Sequence, residues 1–342
     1  MNSDNSKIAY FTMEIGLTPD LPTYSGGLGV LAGDTIKSAS DLKLPMVVVT
    51  LLHRKGYFDQ TLTADGWQEG HEVAWDPSAL TSLQDATVHI TIEGRPVAVR
   101  AWRYDVESPT GGVIPVYFLD TDVEGNDEND RGLTGQLYGG DHLHRLKQEV
   151  VLGIGGVRML DELGIEVKKF HMNEGHAALL TVELLRRGKR PLQQVWDERL
   201  QWDDETVRSM CVFTTHTPVA AGHDRFSYEE VNQVLGDTVD YGLLRELGGE
   251  DALNMTMLAL NLSRYVNGVA KKHGEVSQNM FLAMPFTRSQ TGSTRTRGPA
   301  QRSGNSSIAT FPVGRMSRSC SSVSTTYPTT TFGPHIRPRS LS

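Results

Sequence analysis

The sequence predicts an α/β protein, a Rossmann-like doubly wound sheet carrying an antiparallel β insertion. Two observations carry this. Continuous apolar, β-branched runs at KIAYFTMEI and MVVVTLLH bracket a helical stretch, as buried parallel strands do. After His142 helical and strand patterns alternate, the signature of βαβ units. The 342 residues, 38% hydrophobic and 22% charged, are enough for a sizeable core.

The first run reads as a strand closed by the breakers near Pro19 and Pro22. A glycine-rich loop, YSGGLGVLAGD, follows; Thr35 to Leu42 reads as a helix, and Met46 to His53 as the second strand. From about 55 to 122 the segments TVHITIEG, VAVRAWRY and VIPVYFLD are short, alternating and broken by Gly, Pro and Asp. They predict an antiparallel insertion at one edge of the parallel sheet. Leu143, Leu146, Val150, Ile154, Val157 and Leu160 recur at helical spacing, predicting one long helix ending near Gly164. Gly153, Gly155 and Gly156 interrupt it and imply close packing against another backbone. A strand at Val167 to Met172, a helix at Ala177 to Arg187, a strand at Met210 to Thr215 and a helix through Met255 to Lys272 complete the reading.

Charge divides the chain. The last 61 residues, Leu282 to Ser342, hold 8 of the 33 basic residues and none of the 41 acidic ones. The body therefore carries 25 basic against 41 acidic residues, a formal charge of −16. Such a body repels phosphate backbones, which argues against nucleic acid as a partner. The tail, rich in Ser, Thr, Pro and Gly, has the composition of disordered chain. No apolar run approaches the roughly 20 residues of a membrane helix, and MNSDNSKIAYF lacks the pattern of a secretory leader. Two cysteines, Cys211 and Cys320, make neither a disulfide framework nor a zinc site. A cytoplasmic, membrane-free protein without a metal is the expectation.

Three segments carry chemistry. Gly26, Gly27, Leu28 and Gly29 form a glycine turn whose bare N–H groups at a helix start suit a phosphate or sugar oxygen; a tight turn needing positive φ is the alternative. Neither the dinucleotide fingerprint nor the P-loop is present. FHMNEGHAAL sets Asn173, Glu174 and His176 after a strand and before a helix, where open α/β sheets bind ligands. Capping of that helix by Asn173, with Glu174 as a first-turn charge, is the competing explanation. VFTTHTPVAAGH ends a strand with Thr214, Thr215, His216 and Thr217, a polar cluster in which His216 is either a site residue or a structural hydrogen-bonder.

Taken in order, YSGGLGVLAGD, FHMNEGHAAL and TTHTPVAAGH resemble the α-glucan phosphorylases. GYFDQTL with DGWQ, and RYVNGVAKKHGEVSQNMF from Arg264 to Phe281, add to the likeness. The resemblance runs from about Ile8 to Phe281, the N-terminal lobe of a two-lobed glycosyltransferase fold. It implies phosphorolysis of α-1,4-glucan by inorganic phosphate, releasing glucose 1-phosphate, with pyridoxal phosphate as cofactor. It places Gly26, Gly27, Leu28 and Gly29 at the phosphate site, Asn173 and Glu174 beside the glucosyl unit, and His216 on the reacting sugar, with His223 and Asp224 as supports for that loop. Nucleotide-sugar glucan synthases share the architecture but carry a lysine just before the glycines, where this chain has Thr23, Tyr24 and Ser25. A non-catalytic glucan-binding fragment is the remaining alternative.

The resemblance stops after Phe281. The family continues with ITNGVH, a tryptophan, and a second lobe holding the Schiff-base lysine. Regrouping by one base the codons that AMPFTRSQTGSTRTRGPAQ permits admits AIHSITNGVHAYTWTSP. The expectation is therefore an N-terminal lobe at 1–281 and an out-of-frame, disordered tail at 282–342. Covalent cofactor attachment is then impossible in this chain, and activity is not expected of it.

Overall fold

A computed structural model describes residues 7–57, 59–73, 75–217, 219, 222–270, 276, 280 and 287–288. All of them belong to one compact unit, Met1–Arg295. The remainder of the tail read as out of frame lies outside the described residues.

Strand β1 (Lys7–Thr12) leads into α1 (Gly27–Asp41) and β2 (Met46–Leu51). β3 (Asp59–Leu62) and β4 (Gln68–His71) form a separate antiparallel hairpin, every residue of which is exposed. β5 (Ser82–Ile92), β6 (Arg95–Glu107) and β7 (Val113–Asp120) follow, then the short α2 (Glu128–Arg131). α3 (His142–Val150) passes through a π-helical turn, Val151–Gly155, into α4 (Gly156–Glu162). β8 (Val167–Asn173), α5 (Leu179–Arg187), α6 (Asp204–Met210) and β9 (Cys211–Thr215) come next. The described chain closes with β10 (Arg225–Ser227), α7 (Tyr228–Leu235), α8 (Tyr241–Gly248), β11 (Ala252–Asn254), α9 (Met255–Asn261), β12 (Tyr265–Gly268) and β13 (Thr287–Arg288).

The main sheet runs β13-β12-β9-β8-β1-β2-β7-β6-β5. It is parallel from β13 to β7, and β6 and β5 are added antiparallel at the edge. The apolar runs of β1 and β2 divide between its two faces, as the two-residue period of a strand requires. Ala9, Phe11, Val47 and Val49 join one core, whereas Tyr10, Met46 and Val48 join the other with Ala32 and Ile36 of α1. This is an α/β lobe with helices on both faces and an antiparallel edge.

Several local readings change. α1 starts at Gly27, eight residues before the expected Thr35, so Gly27 and Gly29 lie in the helix and Gly26 is its N-cap. Close approach explains them: a Cβ on Gly33 would strike the carbonyl oxygen of Gly16, and one on Gly29 would strike Tyr24. VIPVYFLD, grouped with the antiparallel insertion, pairs in parallel with β2 on one side and antiparallel with β6 on the other. The long helix after His142 widens at Val151–Gly155. There a Cβ on Gly153 would lie 2.7 Å from the Leu180 nitrogen, and one on Gly156 2.7 Å from Phe11. The helix expected through Met255 to Lys272 ends at Asn261, because Tyr265–Gly268 pairs with β9 and extends the sheet; tertiary pairing overrides an apolar run too short to separate helix from strand. The elements between Arg225 and Asn254 have no counterpart in the sequence reading.

Candidate functional site

The site forms where β1, β2, β8, β9 and β12 end at their carboxyl edge, the ligand-binding side of open α/β sheets. Thr12 closes β1, and two residues later the apolar run yields a buried charge, Glu14. One Glu14 oxygen accepts from the backbone N–H groups of Ser25 (2.7 Å) and Gly26 (3.3 Å), and the other accepts from the Tyr138 hydroxyl at 2.6 Å. The carboxylate thus holds the chain entering α1. Gly26 is the extended N-cap, with no side chain to cap the helix. Gly27, Leu28 and Gly29 supply first-turn N–H groups of the kind that lack intrahelical partners, and a Cβ on Gly26 or Gly27 would meet nothing within 4 Å. That open, donor-rich helix start can receive an anion.

A hydrogen-bonded chain joins this loop to the histidine. The Thr12 hydroxyl donates to the Glu14 carbonyl (2.8 Å) and accepts from Asn173 Nδ2 (3.0 Å), while Asn173 Oδ1 lies 2.5 Å from His216 Nε2. Because the Glu14 carbonyl can only accept, every donor direction follows, and the proton sits on Nε2 of His216. Glu174, at φ 72°, accepts through Oε1 from the His216 and Thr217 N–H groups and the Thr215 and Thr217 hydroxyls. Burial alone would raise its carboxyl, but His176 and the His216 N–H hold it below the usual range. Asn173 and Glu174 are only 1% and 4% exposed.

Beneath them, the Thr214 hydroxyl accepts from His171 Nε2 at 2.8 Å and donates to Asn267 Oδ1 at 2.9 Å. His53 donates from Nε2 to the Met13 carbonyl at 2.8 Å, and its own carbonyl accepts from Trp75. Burial, the largest cause in each case, pushes His53, His171 and His176 down to about 4. His176 Nε2 sits 3.3 Å from Asp224, which also faces Arg145 at 3.5 Å. Glu149, fully buried beside Arg145, has its carboxyl pushed up by burial and by the Asp224 charge. The His223 ring meets the Thr256 hydroxyl at 2.9 Å. His223 is thus tied to Thr256, and Asp224 to His176 and Arg145.

The structure thus brings together the glycine turn, Asn173, Glu174, His176 and His216, each anticipated from sequence. Glu14, His53, Tyr138, Arg145, Glu149, His171 and Asn267 were missed. Only Glu14 carried a signal, a lone carboxylate ending the apolar run FTMEI. Tyr138 reaches Glu14 across 124 residues of sequence, which no local pattern encodes. Among the described residues no cluster of three or more His, Cys, Asp and Glu is arranged to hold a metal ion, and no described helix is long and apolar enough to cross a membrane. Burial pushes the Cys211 thiol up to about 12, which makes it an inert core residue.

An open helix start beside a fixed histidine at the carboxyl ends of the strands is the arrangement in which open α/β sheets bind ligands. The comparisons with known proteins identify it further. Over 80% of its length the chain is 42% identical to the glycogen phosphorylase of Mycobacterium tuberculosis, 39% to the maltodextrin phosphorylase of Thermococcus litoralis and 32% to the glycogen phosphorylase of Aquifex aeolicus. It is homologous to the glycogen and maltodextrin phosphorylases, glycosyltransferases by class. The chain spans 34%, 33% and 41% of the lengths of these three relatives. No protein-family model matches it.

The phosphorylase family implies pyridoxal phosphate. Covalent attachment requires a lysine amine at the site, and three of the described lysines are engaged elsewhere. Lys147 pairs with Glu93 at 2.7 Å, Lys169 donates to the Ser209 carbonyl, and Lys189 lies over the Trp202 ring. No lysine enters the network linking Glu14 to His216.

Proposed function

We propose that this chain supplies the N-terminal half-site of an α-glucan phosphorylase, the enzyme that cleaves α-1,4-glucan with inorganic phosphate and releases glucose 1-phosphate. The 32–42% identity over 80% of the chain carries this reading, and the arrangement of the site supports it. The first-turn N–H groups of Gly27, Leu28 and Gly29 present donors and the positive end of the α1 dipole to the phosphate dianion. His216, fixed in ring and backbone, meets the reacting sugar, holding it in place where charge develops. Thr23, Tyr24 and Ser25 stand where a nucleotide-sugar synthase would carry lysine, which favours phosphorolysis.

The boundary after Phe281 belongs to the same proposal: residues 282–342 are read out of frame, and the remaining contacts of the site would come from a second lobe encoded in the other frame. Resequencing the DNA around the Phe281 codon tests this, and the other frame should encode a second lobe with a cofactor lysine. Restoring the frame should make maltodextrin and phosphate yield glucose 1-phosphate, while the 342-residue chain, purified free of host phosphorylase, should yield none. Turnover by the 342-residue chain, or a downstream frame without such a lobe, would overturn the reading.

A further inference from the structure

The family resemblance implies that Asn173 and Glu174 face the cleft near the glucosyl unit. Their heads, however, are sealed from the cleft and committed within the protein. We propose that both are positioning residues acting through His216, Asn173 gripping the imidazole and Glu174 the backbone, and that neither touches a sugar. This rests on the phosphorylase reading only for what His216 meets.

Existing hydrogen bonds and burial carry the argument. An ionised carboxylate offers about four lone-pair positions over two oxygens. Glu174 Oε1 already faces four donors of one turn: the His216 N–H, the Thr217 N–H at 2.8 Å, the Thr217 hydroxyl at 3.0 Å and the Thr215 hydroxyl at 3.3 Å. Oε2 accepts from the Gly175 N–H at 3.2 Å. Oε1 is thus taken up within the turn, and Oε2 is buried with the rest of a side chain only 4% exposed. The Asn173 carboxamide is engaged in both directions, accepting from His216 Nε2 and donating to Thr12, and is only 1% exposed. Adjacent residues thus fix one histidine at two points, its ring and its main chain.

The backbone supports the same conclusion. Glu174 occupies the left-handed region at φ 72°, where a non-glycine residue persists only if its surroundings hold it. Its own N–H is tied to the Thr214 carbonyl at 2.9 Å. This twist lets a carboxylate leaving β8 turn back onto the residues leaving β9. The gain is a histidine whose tautomer and direction are set before any ligand arrives.

The experiment uses the ¹⁵N-labelled 342-residue chain, with imidazole correlation spectra and amide exchange as readouts. The wild type should show a slowly exchanging Nε2–H resonance for His216. Asn173→Leu should lose that resonance while the His216 and Thr217 amides stay protected. Glu174→Ala should cut the protection of those two amides about tenfold, the effect of losing one net hydrogen bond, and should also remove the ring resonance although Asn173 is intact. Glu174→Gln keeps an acceptor oxygen and should restore both readouts. Glu174→Gly relieves the backbone but not the donors, and should behave like alanine. Persistence of the Nε2–H resonance in both Asn173→Leu and Glu174→Ala overturns the proposal. If Glu174→Ala does not fold, loss of the ring resonance in Asn173→Leu with its retention in Glu174→Gln sustains the proposal, and any other pair of results refutes it. None of these readouts needs turnover, so failure of the phosphorylase reading would leave them standing.

Discussion

Acidification should weaken this lobe well above the pH at which its carboxylates titrate, and His53 offers the cleanest way to see it. The ring is completely buried, donates to the Met13 carbonyl and feels the Arg145 charge. Burial first, then Arg145, brings it from 6.5 to about 4, against the opposing pull of the Met13 bond. Between those values the folded ring is neutral while the unfolded one is protonated. Stability is therefore fully present above about 6.5 and is lost as pH falls towards 4. The complete loss corresponds to about 3 kcal/mol, accumulating at about 1.4 kcal/mol per pH unit. His171 and His176, also near 4, add slopes of the same sign. Comparison with a His53→Gln variant, whose amide can still donate to Met13, isolates the one ring. Urea unfolding followed by tryptophan fluorescence at pH 7, 6, 5 and 4.5 should give a wild-type curve steeper than the variant's by about 1.4 kcal/mol per pH unit. Parallel curves would refute the reasoning.

Two further perturbations follow from buried charges. Asp120, fully buried, accepts from Arg54, Arg100, the Trp102 indole N–H and the Asp122 N–H. Asp120→Ala leaves these donors unmet and should cost about 3 kcal/mol, the lower end of the range because both arginines reach solvent. That is about 6–12 °C in a thermal melt, and a loss below about 1 kcal/mol would contradict the role assigned to Asp120. Glu149 works in the opposite direction. Its carboxyl is raised by burial and by Asp224, so the fold prefers it protonated and loses stability as pH rises above the ordinary carboxylate range. Glu149→Gln should stabilise the lobe progressively more from pH 6 to pH 8 in denaturant titrations, and a constant difference across that range would contradict the assignment.

How far sequence reached depended on how local each determinant was. β1 and β2 were legible because both faces of a parallel strand are buried, and Ala9 and Tyr10 serve opposite cores without breaking the apolar run. Asn173, Glu174 and His216 stood out as polar clusters at strand ends. Their division of labour did not, since the bond from His216 to Asn173 spans 43 residues and exists only once β8 and β9 pair. The glycines of α1 read locally as helix breakers, yet Gly29 and Gly33 are there because Tyr24 and Gly16 press against the helix. β12 was mistaken for helix because only its neighbour β9 decides the matter.

The wide turn at Val151–Gly155 also counts residues. α3 and α4 form one rod, α3 packing on α7 and α4 on β5 and β6, and the turn sets the angle between them. An α-helix advances 100° per residue, so a single-residue deletion within the turn would swing every side chain of α4 by about that angle. Val157 and Leu160, now in the core, would leave it, and the Arg158 guanidinium that binds Glu183 and the His89 carbonyl would lose both partners. The turn therefore acts as a phase setting between two helices, and the lobe will tolerate substitution there far better than any change in length.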